Sequence, residues 1–276
     1  MLQRIIAWIV FAAQTVLIWA GIPVTPRGQK LDLDRFTLVW SDEFGAGALD
    51  TANWRGHNYT GGASKRQDGW WCLDMAQVRD DNMLHIPSAY FEDGLAGGPA
   101  GYYSAGINTK GLHEQKYGYF EARCKLPKGE GLWSAFWMQC DAMGNVDGSG
   151  RDGMEIDIYE SPYYREACRW KKNAVTSNLH YDGYGEAHRV TNTAYCHVKK
   201  PYDTFHTYGL EWNENEYIFY IDGKVTGRSS FGGVSQAPEY LVLSVEHQFK
   251  GWAGDIRNNT EMTDFVIDYV RVYQYK

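Results

Sequence analysis

Three carboxylates fall within the six residues Glu155-Ile156-Asp157-Ile158-Tyr159-Glu160, and the residues between them favour strand. A strand turns successive side chains to opposite faces, so Glu155 and Asp157 point the same way. Glu160 stands five positions from Glu155 and would face the other side of a regular strand. One extra residue around Ile158-Tyr159, a β-bulge, returns it to the face of the other two. On a helix the first and last acids would lie well over a quarter turn apart, and isoleucine disfavours helix in any case. Like charges packed together raise the cost of ionising one another, so the cluster points to chemistry rather than to stability.

Hydrolysis of a glycosidic bond is a chemistry that calls for such carboxyls. Two carboxyl groups about 5 Å apart serve as nucleophile and as a general acid that later acts as base. A third acid between them can bond the nucleophile, share a proton and hold the acid/base protonated near neutral pH. The plainer alternative is a solvated acidic strand edge. Met154, Ile156 and Ile158 alternate with the acids, so the opposite face is core and the acids sit on one side of a core strand.

The elements that must position this strand are also strands. Short candidates stand at 36–40 and 83–86. Residues 116–127 (KYGYFEARCKLP) alternate well enough for a half-buried strand, and 132–139 (LWSAFWMQ), after the turn Lys128-Gly129-Glu130-Gly131, reads as its hairpin partner. Further strands are expected at 174–181, 204–212, 216–221, 240–246 and 265–273, with a tight turn at Asp222-Gly223. No long segment of helical period follows the N-terminus. Closely spaced strands with turn signals mean an all-β sandwich or barrel, read as one domain over residues 31–276. The polar stretches 56–68, 90–103, 141–152 and 183–202 read as long loops, of the kind that rim a binding groove.

Composition narrows the partners. The 276 residues include Trp 11, Tyr 20, Phe 11 and Gly 30, which suits short strands, tight turns and aromatic surface for a ligand. The net charge of -7 comes with no basic stripe, so nucleic acid is excluded as a partner and a strongly anionic substrate is disfavoured. Residues 1–30 differ from the rest. Arg4 precedes an apolar run at 5–22 that ends near Ala20-Gly21, the pattern of a secretory signal peptide, with a retained membrane anchor as the close competitor. A secreted or cell-surface protein, and a monomer, are expected. Five cysteines (Cys72, Cys124, Cys140, Cys168, Cys196) form no CxxC pair and support no zinc site. Cys168 and Cys196 flank a loop-rich region, where either a disulfide or inert thiols would fit.

Several runs carry a family resemblance beyond the acids: Ser41-Asp-Glu-Phe44, YGYFEARCKLP, GLWSAFWM, YGLEW from Tyr208, YIFYIDGK from Tyr217 and DYVRVYQ from Asp268. In this order, with EIDIYE among them, the chain resembles glycoside hydrolase family 16 over nearly all of its length after Leu31. The resemblance implies a jelly-roll β-sandwich of the concanavalin A-like kind, two curved antiparallel sheets with a concave cleft. It implies Glu155 as nucleophile, Asp157 as its supporting acid and Glu160 as acid/base, in a retaining endo-glycosidase that needs no cofactor. Its substrate would be a β-linked polysaccharide, first a β-glucan with β-1,3 or mixed linkage. A galactan or agar-type substrate, transglycosylation, and a sugar-binding jelly roll without turnover are the alternatives. The last has no use for three acids on one face.

Binding residues follow from parity and from the resemblance. Trp133 and Trp137 share a face and can stack on sugar rings, Trp133 the firmer candidate of the two. Asn178, His180 and Asp182 share the polar face of their strand, and the resemblance puts His180 near the carboxylates. Ser244 and Glu246 face away from the leucines of 241–246, so Glu246, followed by Trp252, can line the cleft; a surface ion pair is the competing reading. Arg123 reads as the partner of an acid. The resemblance also suggests a structural calcium on the outer face with Glu43 and Asp268 among its ligands. Two segments depart from the laminarinase pattern. Arg66-Gln-Asp-Gly-Trp-Trp71 replaces an Asn/Glu-rich segment, and Gly106 stands where many β-1,3-glucanases carry arginine. Trp70 and Trp71 would then build a different sugar platform on the non-reducing side.

Overall fold

The strand Gly118–Lys125 shows how this sequence builds its elements. Phe120, Ala122 and Cys124 are buried while Glu121, Arg123 and Lys125 between them are half-buried. The strand Leu132–Gln139 does the same, burying Phe136 and Met138 and turning Trp133, Trp137 and Gln139 to the other side. Each large apolar side chain so buried contributes about 1.5–3 kcal/mol. The computed structural model describes residues 16–17, 20, 22–26, 28–58, 61–162 and 173–276. The apolar run at 5–22 lies almost wholly outside these residues, as does Cys168. Cys72, Cys124, Cys140 and Cys196 are buried free thiols.

Two antiparallel sheets of eight strands each face one another across the core. One runs, in spatial order, Lys224–Ser229, Tyr217–Ile221, His206–Trp212, Gly118–Lys125, Phe265–Tyr275, Leu84–Ile86 and Gln77–Val78, with Phe36–Asp42 also paired to Phe265–Tyr275. The other runs Arg189–His197, Ala174–Tyr181, Glu155–Pro162, Leu132–Gln139, Glu239–His247, Gly106–Asn108 and Arg55–Gly56, with Glu114–Gln115 also on Glu239–His247. Phe120, Phe136, Ile156, Tyr159 and Trp212 fill the space between them. The expected all-β sandwich is what forms. The turn Asp222-Gly223 closes its hairpin with both residues at positive φ (50° and 66°), the backbone that matches strand twist. The chain joins this body early, with isolated bridges from Val24 to Cys196 and from Lys30 to Lys224.

Three expectations are corrected. The runs 116–127 and 132–139 are not hairpin partners, because Gly118–Lys125 and Leu132–Gln139 belong to opposite sheets. Each buries one apolar face, and the two faces meet across the core rather than edge to edge. The polar stretch 183–202 contains the strand Arg189–His197, whose residues 189–193 are exposed or half-buried, so it shows no alternation to read. The stretches read as loops before 104 form part of a third, four-stranded sheet, Ser64–Arg66, Gly69–Trp71, Gly101–Ser104 and Ala89–Phe91. Its central pair is parallel.

Candidate active site

The bulge in the acidic strand is visible in its pairing. Phe136 lies opposite Tyr159 but Trp137 lies opposite Asp157, so Ile158 is the extra residue. On the other side Asp157 pairs with Asn178 and Glu160 with Thr176, three steps against two. Ile158 and Tyr159 both stay buried in the core. Glu155, Asp157 and Glu160 therefore occupy successive positions on one face, and all three line a cavity of about 390 Å³ on the second sheet.

The three acids differ in their surroundings. Glu160 accepts from Trp133 Nε1 at 2.9 Å and from the Asn178 amide. Glu155 accepts through Oε2 from Gln139 Nε2 at 3.0 Å and from the Tyr184 hydroxyl. His180 Nε2 stands 3.1 Å from Asp157 Oδ2 and 3.9 Å from Glu155 Oε1. Burial raises all three carboxyls above the ordinary range. Asp157 is pushed further up by Glu155 and Glu246, and Glu160 by Asp157 and Glu155. For Glu155, His180, the Tyr184 hydroxyl and Arg66 work against burial and favour the charged form. Burial and neighbouring charge thus lift Glu160 and Asp157 further than Glu155, the direction of difference that a nucleophile and a general acid require.

Around the acids, Trp133 and Trp137 line the cavity as expected, Trp137 Nε1 donating to Ser244 Oγ at 3.1 Å. Glu246 lines it as well. It does form an ion pair, with Arg66 at 2.6 Å, but inside the cleft, where Glu246 is only 5% exposed. Trp252 lies beyond the lining and packs edge-on against Trp133 at 5.2 Å, extending the aromatic rim. Asp182, on the same parity as His180, turns instead to a neighbouring loop and accepts from the amides of Asp147 and Gly148.

Trp71 is corrected. It is 3% exposed, donates to the Val245 carbonyl at 2.8 Å, and has the Arg66 guanidinium 4.3 Å above its ring. It supports the cleft from beneath and offers no free face to a sugar there. Gly106 is what admits it, since a methyl group at that position would come 2.4 Å from the indole. Of the two acids suggested as calcium ligands, Glu43 pairs with Arg271 at 2.8 Å and Asp268 with Arg123. Among the described residues, the group of three carboxylate and histidine ligand atoms that all lie close to one another is that of Glu155, Asp157 and His180, already engaged in the cleft.

Some lining or contacting residues were not singled out in the sequence. Gln139 has the parity of Trp133 and Trp137 and was legible on that ground. Tyr184, His188 and Gln67 also line the cavity, from segments that carry no period.

Residues 37–275 match the family model described as beta-porphyranase A-D, GH16 domain. The chain belongs to glycoside hydrolase family 16. It is 28% identical to glucan endo-1,3-beta-glucosidase A1 of Niallia circulans over 92% of this chain and 39% of that protein. It is 27% identical to keratan-sulfate endo-1,4-beta-galactosidase of Sphingobacterium multivorum over 87% of this chain and 55% of that one. The chain thus spans less than two thirds of these curated relatives. Among solved structures, the laminarinase catalytic domain of Thermotoga maritima superposes with a TM-score of 0.67 at 28% identity, covering 87% of this chain and 99% of that one. The family 16 fold is the jelly-roll sandwich described above.

Proposed function

We propose that this family 16 domain is a retaining endo-glycosidase that hydrolyses internal β-linkages of a polysaccharide, first a β-glucan. The observation that carries the reading is the bulged strand, which sets Glu155 and Glu160 on one face of a tryptophan-lined cleft, with Glu160 lifted further above the ordinary carboxyl range than Glu155. Glu155 attacks the anomeric carbon as the glycosidic C–O bond breaks, and the Glu160 proton passes to the departing oxygen. Water then enters, Glu160 takes its proton, the water oxygen attacks the anomeric carbon, and Glu155 leaves as carboxylate. Two inversions give net retention. Asp157, between them, holds charge and proton so that Glu160 starts protonated.

The glucanase and laminarinase relatives support a β-glucan. A β-galactan is the second reading. It draws on the porphyranase family model, on the galactosidase relative, and on the Arg66–Trp71–Gly106 arrangement, which differs from the laminarinase pattern. Purified laminarin, lichenan, galactan, agarose and porphyran, with sizing of the products, separate the two. Internal cuts in none of them would sink both. We also propose export, supported by Arg4 and the apolar run at 5–22. Sequencing the N-terminus of protein recovered outside the cell tests it.

A further inference from the structure

One side chain at the nucleophile belongs neither to the carboxylate strand nor to the tryptophan platform. The chain leaves the strand Ala174–Tyr181 through Asp182 and Gly183, both at positive φ (63° and 67°). Asp182 fixes this turn by accepting from the amides of Asp147 and Gly148 at 3.2 and 3.1 Å. Tyr184 follows. It is 64% exposed as a residue, yet its hydroxyl donates to Glu155 Oε2 and accepts from Gln139 Nε2 at 2.7 Å. Gln139 also donates to Glu155 Oε2 at 3.0 Å, and its own oxygen accepts from the Tyr240 hydroxyl at 2.8 Å. The Tyr184 ring lies 5.8 Å from His188, which stacks on His180.

One oxygen of Glu155 is therefore held by two donors from different elements, while the other faces His180 Nε2 at 3.9 Å. Lone pairs committed to donors are poor nucleophiles, so the two oxygens are no longer equivalent. We propose that Tyr184 is a positioning residue for the nucleophile: its hydroxyl, with Gln139, pins Glu155 Oε2 and presents Oε1 to the anomeric carbon. This rests on the assignment of Glu155 as nucleophile. Burial and the Glu155 charge keep the phenol protonated far above any working pH, so it stays a donor throughout. The other charged and titratable groups facing Glu155 are Asp157 and Glu160 on its own strand, His180 and His188 from the adjoining strand and loop, and Arg66 and Glu246 from the far wall.

The test compares Tyr184→Phe and Tyr184→Ala with the unaltered protein on whichever polysaccharide is turned over, reading kcat/KM against pH. Loss of the hydroxyl removes a donor to the ionised nucleophile, so the acid limb should move up by about 0.5 pH unit or more in both variants. The limb set by Glu160 should stay in place. Because positioning acts in the transition state, kcat and kcat/KM should fall together by about tenfold with KM within about twofold. An unmoved acid limb in the phenylalanine variant overturns the proposal, as does a loss confined to KM. A shift in the alanine variant alone would assign the effect to the ring and overturn it as well. A Glu155→Gln control separates the two claims: normal turnover there defeats the functional reading, whereas an inactive control beside an unaltered Tyr184→Phe defeats only this inference.

Discussion

Arg66 grips Oε1 of Glu246 through two nitrogens, at 2.6 and 3.1 Å, and leaves Oε2 buried with no hydrogen-bond partner among the described residues. A buried carboxylate oxygen without a donor is costly unless a ligand supplies one. A sugar hydroxyl entering the cleft would supply that donor, which makes the Arg66–Glu246 pair a candidate binding element to be tested.

Replacing Glu246 by Gln should turn that acceptor into a donor. We expect KM to rise about tenfold, equivalent to about 1.4 kcal/mol, with kcat changed by less than about threefold. The Glu246 charge also raises Glu155, so the acid limb should move slightly down, the opposite direction to the Tyr184 variants. Steady-state kinetics across pH measure both.

The pair should also behave as a unit in stability. Arg66→Met strands the Glu246 carboxylate and should lower Tm, and adding Glu246→Leu should restore most of it. Activity should not return in the double variant. Thermal melts of the four proteins of this cycle decide it, and additive losses would show that the pair is uncoupled.

Glu155 and Glu160 should be separable by chemical rescue. Either alanine variant should lose at least about 10³-fold in kcat. With an activated aryl glycoside, azide should restore the Glu155→Ala variant to give a product of inverted configuration. In Glu160→Ala, azide should give a product of retained configuration. NMR of the glycosyl azides reads the outcome, and the reverse pattern would exchange the two roles.

Activity requires Glu155 ionised and Glu160 protonated, and both carboxyls are raised above the ordinary range, Glu160 the more strongly. Both limbs of the kcat/KM profile should therefore lie above the pH where an exposed glutamate titrates, about 4.3. A bell centred at or below that value would contradict the burial described for these acids.

Asp157→Asn tests what the middle acid does to the fold. The folded-state pKa of Asp157 is raised well above its unfolded value, so its favourable contribution is complete below about pH 4 and is lost as pH rises through the folded value. Asparagine cannot ionise. The variant should melt higher than the unaltered protein at pH 7, by about 2–4 °C for each kcal/mol relieved, and about equally at pH 3. Its kcat should fall, because asparagine cannot share the proton or the charge by which Asp157 lifts the Glu160 carboxyl.

Much of the site was legible because strand alternation is a local property. The parity of Glu155 and Asp157, the need for one extra residue before Glu160, and the shared face of Trp133 and Trp137 follow from chain geometry alone. The structure realises each of them, with Ile158 as the inserted residue. Gln139 was open to the same argument.

What alternation could not convey is which surfaces meet. An apolar strand face looks the same whether it packs across a core or beside a neighbour, so Gly118–Lys125 and Leu132–Gln139 were paired edge to edge when they belong to opposite sheets. The exposed strand Arg189–His197 had no buried period along its first half to reveal it. Glu43 and Asp268 each pair with an arginine distant in sequence, contacts that no local spacing announces. Trp71 resembled a sugar platform until Gly106 let its ring sink beneath Arg66. The amino-acid sequence by itself determined the all-β class and the bulged acidic strand, because those depend on spacing along the strands. Tertiary structure alone decided that Tyr184 reaches Glu155 and that Arg66 reaches Glu246, because these contacts join loops and sheet edges whose meeting no local period encodes.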